Sequence, residues 1–359
     1  MEENYKKTVF FGPFVGEFGW ELLFWHGWVK RLCRTRYKDC YKIACSFPGR
    51  YPFYPEVDAF WPLPDEFLKF PISSRNYITD YWNKGKPEAT VPANLPDVWP
   101  RLKRVIADFQ KKLPKDTEFI HPWTYRYDKE DKRHYGVDKK YTPYAPPYSK
   151  QILVKIQPTQ KGRETLKKIV SPEEKLIVIF PRKRNFRRPD KNWKKESYQL
   201  LINRIQKKLP GYKIAILGEP GGAFFEEGVP KNCLDLINVN PYQRMDIHLA
   251  AVSQAKLAVG GQSGGVSFAM AGGAKTITWG NAVFERVIAK ENYLNSPLIF
   301  LPLSDPSIDL IFKYINWFIG INSMPLDNLL RISKIIFYRI FNPRYPHLFR
   351  LRLKQIFKI

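Results

Sequence analysis

Cysteine is scarce in this chain, and so is acid. Cys33, Cys40, Cys45 and Cys233 are the four thiols among 359 residues. No CxxC pair or matching histidine spacing accompanies them, which excludes a zinc-finger reading and a disulfide framework. They read as reduced thiols, mostly core filler, in a cytosolic protein. No apolar run approaches the roughly 18 to 20 residues that a membrane-spanning helix requires. The first seven residues are charged and lead into only a short apolar run, so they do not read as a signal peptide. The expectation is a cytoplasmic protein that is neither secreted nor membrane-spanning.

The shortage of acid is the stronger statement. Thirty-four Asp and Glu stand against 59 Lys and Arg, a formal net charge of +25. That balance favours an anionic partner: nucleic acid, an anionic membrane surface or a phosphorylated small molecule. No zinc-finger or RNA-recognition signature is present, and the basic residues are spread among strand ends and the C-terminus, so no nucleic acid is expected as a partner. What is abundant is hydrophobic and aromatic content, 44% and 15%. It can fill substantial cores, and the length suits roughly two domains.

Thr8–Gly12 reads as a strand, followed by a loop with three glycines around Glu17 and a helix with Leu22, Trp25, Val29 and Leu32 at helical spacing. A second strand is expected at Tyr41–Phe47. From about Pro48 to Pro147 prolines and aromatics dominate, with a helix at Trp99–Lys112 and a strand at Glu118–His121. The aromatics there either pack a loop-rich region or offer a sugar-stacking surface. The second half is more regular: strands at Leu176–Phe180, Lys213–Leu217, Leu234–Ile237 and Lys256–Gly260 alternate with helices at Glu196–Leu209 and Gln243–Ala255. Gly260–Gly273 then reads as a Gly-rich turn with Ser263 as N-cap, entering a helix of small residues before a strand ending at Trp279.

Such alternation indicates a doubly wound parallel sheet, which binds ligands at the carboxyl ends of its strands. That rule puts Arg182–Arg188, Gly218–Gly222 and Gly261–Gly265 on one rim. A Gly-rich turn entering a helix is either a tight packing connection or an anion site with free N–H groups at a positive dipole end. The Lys- and Arg-dense run from Arg182 to Lys191 on the same rim favours the anion site, since arginine can contact phosphate through two parallel bonds.

The ordered succession Phe180-Pro181-Arg182, the basic loop, Lys191-Asn192-Trp193, a helix, Ile216-Leu217-Gly218-Glu219 and then Val259-Gly260-Gly261-Gln262-Ser263-Gly264-Gly265 resembles the nucleotide-sugar half of GT-B glycosyltransferases, the heptosyltransferase-like branch in particular. The arginine-rich loop is also similar to that of fucosyltransferases. Gln262 departs from the branch, which has Asn or Asp there. The resemblance implies two Rossmann-like α/β domains facing a cleft: an acceptor domain over 1–150, a donor domain over 151–300, and helices with a basic amphipathic tail over 301–359. It implies donor contacts at Arg182, Arg184, Lys191, Gly218, Glu219, Gln262, Ser263, Gly264 and Gly265, and a metal-independent transfer with no cofactor beyond the nucleotide-sugar substrate.

An inverting transfer also needs a carboxylate to deprotonate the acceptor hydroxyl. Glu17, flanked by glycines, is the first candidate. Glu21 is the second, with helix-dipole stabilisation as its other reading. His26 is the acceptor-side candidate, with a core or capping role as the alternative. Asp246 is a dipole partner by default and a ribose contact by analogy. The acid-free, basic and apolar stretch 331–359 suits an anionic bilayer surface, so a peripheral protein on the cytoplasmic face acting on a lipid-linked or polysaccharide acceptor is expected. Fold does not fix chemistry, and a pyruvyl transferase or sugar epimerase remains the alternative within this architecture, with a basic nucleic-acid-binding protein, motivated by the charge, as the alternative from another class.

Overall fold

The computed structural model describes residues 7–71, 96, 98–122, 126–128, 133–135, 151–185 and 188–320. The basic tail over 331–359, most of the Pro/aromatic region from 72 onward and Arg187 lie outside the described residues. The chain divides into two compact units, Met1–Ile308 and Asp309–Ile359. A helix spans Ile308–Phe318, and all of it after Ile308 belongs to the second unit.

The first unit holds two parallel sheets. Strands β1 (Thr8–Phe11), β2 (Tyr41–Ser46), β3 (Ala59–Pro62) and β4 (Glu118–Ile120) form one, in the order β3-β2-β1-β4. A short antiparallel ribbon, β5 (Arg126–Asp128) and β6 (Arg133–Tyr135), follows. Strands β7 (Lys175–Phe180), β8 (Tyr212–Ile216), β9 (Cys233–Asp235), β10 (Leu257–Gly261), β11 (Thr276–Trp279) and β12 (Leu298–Leu301) form the second, in the order β12-β11-β10-β7-β8-β9. Leu176–Phe180 is buried along its whole length, as a continuous apolar run must be when helices cover both faces of a sheet. The α/β architecture with two facing parallel sheets is the expected one.

Helix α1 runs over 18–34 and contains a wide π-wound turn at Glu21–Trp25. The others that matter here are α2 (Trp99–Lys112), α3 (Gln160–Lys167), α4 (Lys195–Lys208), α5 (Arg244–Gln254), α6 (Gly264–Ala271) and α7 (Glu285–Glu291). Apolar spacing places Tyr198, Leu201, Ile202 and Ile205 of α4 in the core. Small residues let α6 lie close on its sheet, where Val266, Phe268, Ala269 and Met270 are buried. Buried apolar residues from both sheets join in one cluster, from Val9 and Phe11 to Val178 and Phe268.

Polar ties reinforce that contact. Asp246 of α5 is buried and accepts from the Tyr51 hydroxyl at 2.5 Å, the Thr159 backbone N–H at 2.7 Å and the Thr159 hydroxyl. Thr159 at the same time caps α3, accepting from the Gly162 N–H. The ribose-contact reading of Asp246 is therefore corrected: its carboxylate is consumed in joining three segments of the chain.

Candidate functional site

Strand ends from both sheets converge on one cavity of about 600 Å3. In the second sheet β7 lies beside β10, and the connections of the two depart in opposite directions, which opens a crevice at their carboxyl ends. Phe180 runs there into Pro181 and Arg182, Gly261 into Gln262 and Ser263, and Ile216 into Gly218 and Glu219. Across from them stand Glu17, Trp20 and Phe24 of the first sheet's loop and helix α1.

The turn into α6 is built for close approach. Ser263 caps the helix through a long bond, 3.5 Å, from the Val266 N–H. A Cβ at Gly265 would lie 2.6 Å from the Phe180 ring, and one at Gly264 would lie 3.1 Å from Phe18 of α1. Any larger residue would push apart the two sides of the cavity or the turn from its sheet. Below the turn, the Tyr198 hydroxyl accepts the Gly261 N–H at 3.3 Å and lies 3.4 Å from the Phe180 carbonyl. It thereby ties the ends of the two strands that open the crevice. Trp193 meets both Tyr198 and Trp279 edge-on, so the floor is a rigid aromatic block.

The basic loop is ordered by Asn192. Its side-chain oxygen accepts from Arg182 Nη1 at 2.5 Å and from the Arg184 N–H at 3.1 Å, while its amide donates to the Arg184 carbonyl at 2.8 Å. Arg182 Nη2 also donates to the Arg188 carbonyl at 3.0 Å. Burial, with Arg184 beside it, pushes the Arg182 guanidinium down to about 10. Burial, with Arg188 and Arg182 nearby, pushes the Lys191 ammonium down to about 8. These cations are held close with less counter-charge than they require, the electrostatic condition of an anion site.

Three carboxylates line the same cavity: Glu17, Glu219 and Glu291. Glu17 is near enough to act electrostatically on both Arg182 and Glu291. Glu219 accepts from Arg50 Nη2 at 3.2 Å. Glu291, at the end of α7, lies 2.7 Å from the Ser267 hydroxyl. Burial pushes its carboxyl up to about 7, against the pull of Ser267 and Lys191 and with a further push from Glu17.

Arg182, Arg184, Lys191, Gly218, Glu219, Gln262, Ser263, Gly264, Gly265 and Glu17 all line the cavity. Three sequence candidates do not: Asp246, already assigned to the joining of chain segments, Glu21 and His26. Glu21 is fully buried in the π-wound turn, paired with Arg50 and accepting from Ser46 Oγ at 2.5 Å and Tyr54 Oη at 2.6 Å. It is removed as a base, because it has no path to an acceptor hydroxyl. His26 is 1% exposed, and its Nδ1 donates to the Glu21 carbonyl at 3.2 Å. Burial pushes it down to about 4, so it is a neutral core histidine and its acceptor-side reading is corrected.

The sequence reading missed Arg50, Trp20, Phe24, Ser267 and Glu291, which also line the cavity. Trp20 and Phe24 lie face to tilted face with ring centroids 4.3 Å apart. Their spacing of four along α1 was a readable signal. Glu291 carried none: it lies 24 residues beyond Ser267 in a polar helix, and only the fold brings the two together. Among the described residues, no group of three or more His, Cys, Asp or Glu is arranged to hold a metal ion.

No family model and no curated protein sequence matches the chain. Solved structures do. A glycosyl transferase family 9 protein from Veillonella parvula is 14% identical, with a TM-score of 0.52 over 89% of this chain and 98% of that one. The ADP-heptose LPS heptosyltransferase II of E. coli is 14% identical, with a TM-score of 0.49 over 87% of this chain and 98% of that one. At such identity the likeness is one of fold, and the two-sheet GT-B-type architecture is what this chain shares with the family 9 glycosyl transferase.

Proposed function

We propose that the protein is a glycosyltransferase that moves a sugar from a nucleotide-sugar donor to a lipid-linked or polysaccharide acceptor, without an obligatory metal. One observation carries the reading: a carboxylate from the first sheet, Glu17, faces a cation cluster and a helix N-terminus from the second across a single cavity. The first group has the chemistry to take a proton from an attacking hydroxyl. The second has the chemistry to receive a departing diphosphate. The fold shared with the family 9 glycosyl transferase is consistent with that division of labour.

The diphosphate sits, in this reading, against Ser263, Gly264 and Gly265 with Arg182, Arg184 and Lys191 around it. Glu219 and Gln262 face the rest of the nucleotide-sugar. The Trp20–Phe24 pair offers the acceptor an apolar ring face of the kind that pyranose C–H groups cover. The basic tail over 331–359 serves as the contact with an anionic membrane on the cytoplasmic side, which keeps a lipid-linked acceptor within reach.

A thermal-shift screen of nucleoside diphosphates tests the donor half, since a ligand specific to the native state raises its melting temperature. One base is expected to stand out, and Arg182→Ala combined with Ser263→Ala is expected to weaken its diphosphate about tenfold or more. Equal affinity in that variant would remove the donor-site assignment. The same binding should fall as pH rises from 7 to 9. An anion favours the ammonium form of Lys191, which is complete below its value of about 8 and lost above it. Lys191→Arg, charged throughout, is expected to remove the part of the fall around pH 8 in titration calorimetry, leaving the part near pH 7 from ionisation of Glu291.

A further inference from the structure

Around this cavity Arg50, Arg182, Arg184, Arg188 and Lys191 supply positive charge. Against them Glu291 stands out, because a carboxylate beside a diphosphate repels it. Its location is specific. Glu291 Oε2 is held by the Ser267 hydroxyl, one helical turn along α6 from Ser263, and the Ser267 Oγ is itself 3.2 Å from the Ser263 carbonyl. Glu291 is thus one helical turn removed from the anion-binding turn, within electrostatic reach of Lys191 and Glu17, with which it lines the cavity. A sugar joined to the diphosphate and attacked by a hydroxyl that Glu17 deprotonates must lie between those groups.

A second buried polar residue lines the same cavity. Gln262, only 6% exposed, has its side-chain Oε1 without a hydrogen-bond partner. Its backbone N–H is committed to the Trp279 carbonyl at 2.8 Å, which fixes where the side chain starts. A buried acceptor without a donor is costly unless a ligand supplies one. Glu291 and Gln262 together therefore present acceptors, and a sugar presents hydroxyl donors. Above its value of about 7 Glu291 is an ionised carboxylate, which accepts through both oxygens, and bonds of this kind are among the stronger ones available to a hydroxyl, so the comparison below is made at pH 8.

We propose that Glu291, held in place by Ser267, reads hydroxyl groups of the donor sugar and makes the site selective for uncharged polyhydroxylated sugars over sugars that carry a carboxylate. The inference rests on the glycosyltransferase reading and adds the substrate class to it. A hexuronate replaces the C6 hydroxyl by a carboxylate, so where that carbon faces Glu291 it sets charge against charge and removes the one donor at that position, while its ring hydroxyls are unchanged. Glu291 acts on the proposed diphosphate contacts only through its charge on Lys191, and Ser263, Gly264, Gly265, Arg182 and Arg184 remain in place without it.

The test compares binding of a nucleotide-hexose with the matching nucleotide-hexuronate, UDP-glucose against UDP-glucuronate or GDP-mannose against GDP-mannuronate. The series follows the base whose diphosphate binds in the thermal-shift screen. The native protein is expected to favour the neutral sugar by about tenfold or more. Glu291→Gln should leave nucleoside diphosphate affinity unchanged or slightly raised, which also certifies its fold, and should bring the preference close to one. Glu291→Asp should restore part of it. An unchanged preference in Glu291→Gln, with the diphosphate still bound, would overturn this inference and leave the donor site standing. Failure of the native protein to bind any nucleoside diphosphate would overturn both.

Discussion

Replacing Glu17 by glutamine is expected to lower turnover by about a thousandfold while leaving the affinity for the nucleoside diphosphate within about twofold of native. The expectation follows from what the substitution removes. Glutamine has the shape of glutamate and can still orient an acceptor hydroxyl, yet it cannot take the proton, and a positioned general base is worth about a hundred- to ten-thousandfold. Glu17 precedes α1 in the cavity wall opposite the cation cluster. It acts electrostatically on Arg182 and Glu291, and glutamine keeps its size, so the diphosphate seat is expected to stay assembled when the charge is removed. Steady-state kinetics and calorimetry on the same preparation separate the two quantities. Native turnover in Glu17→Gln would transfer the base to another group, and a joint loss of turnover and diphosphate binding would make Glu17 part of the donor site.

Arg50→Ala is expected to lower stability by about 3 to 5 kcal/mol, the range found when one member of a buried ion pair is deleted. Arg50 is 2% exposed and Glu21 is fully buried. The guanidinium is shared between Glu21 and, at 3.2 Å, Glu219, and it lies over the Phe47 ring at 4.7 Å and the Phe18 ring at 5.1 Å. Burial alone would lower its proton affinity, but the two carboxylates outweigh that and raise it. Removing it leaves Glu21 charged in the core with only Ser46 and Tyr54 as donors. A chemical-denaturation series should show the loss, and pairing Glu21→Gln with Arg50→Met should recover much of it, because the uncompensated charge is then gone. A change below about 1 kcal/mol for Arg50→Ala would mean that water reaches Glu21. Because Glu219 also loses one of its partners, diphosphate affinity is expected to change as well.

The order of strands was readable where physics leaves one pattern. Leu176–Phe180 and Leu257–Gly261 are apolar throughout because both faces of a parallel sheet are covered, and helix Trp99–Lys112 appears at the bounds its sequence suggests. Short elements were not readable. Ala59–Pro62 has four residues and ends in proline, and Leu298–Leu301 has four in a neighbourhood of turns; each is a strand because a partner pairs with it. Helix Gln160–Lys167 is mostly polar, with only Gly162 and Leu166 buried, and it starts at Thr159 through a cap whose hydroxyl is also committed to Asp246.

The site divides in the same way. Residues that follow strand ends in the regular half, Arg182, Glu219 and Ser263, could be placed by topology alone. Glu21 could not, since its burial depends on Ser46, Arg50 and Tyr54 folding around it from another stretch of chain. Arg50 belongs to a segment rich in proline and aromatics, where no periodicity separates a surface cation from a buried one. Glu291 was beyond reach because a carboxylate at the end of a short polar helix has the sequence profile of a solvated one.

Asp246 shows how such a fold can mislead comparison between relatives. One carboxylate there receives the Tyr51 hydroxyl, the Thr159 amide and the Thr159 hydroxyl, and Gly162 leaves no room for a Cβ beside it. Asparagine would keep the shape but give up an acceptor for a donor, and glutamate would not fit the space. Among homologous sequences that keep Tyr51 and Thr159, selection on assembly alone would hold this position as aspartate. An invariant acid in a transferase invites a catalytic label, and at position 246 that label would record how the chain is joined together.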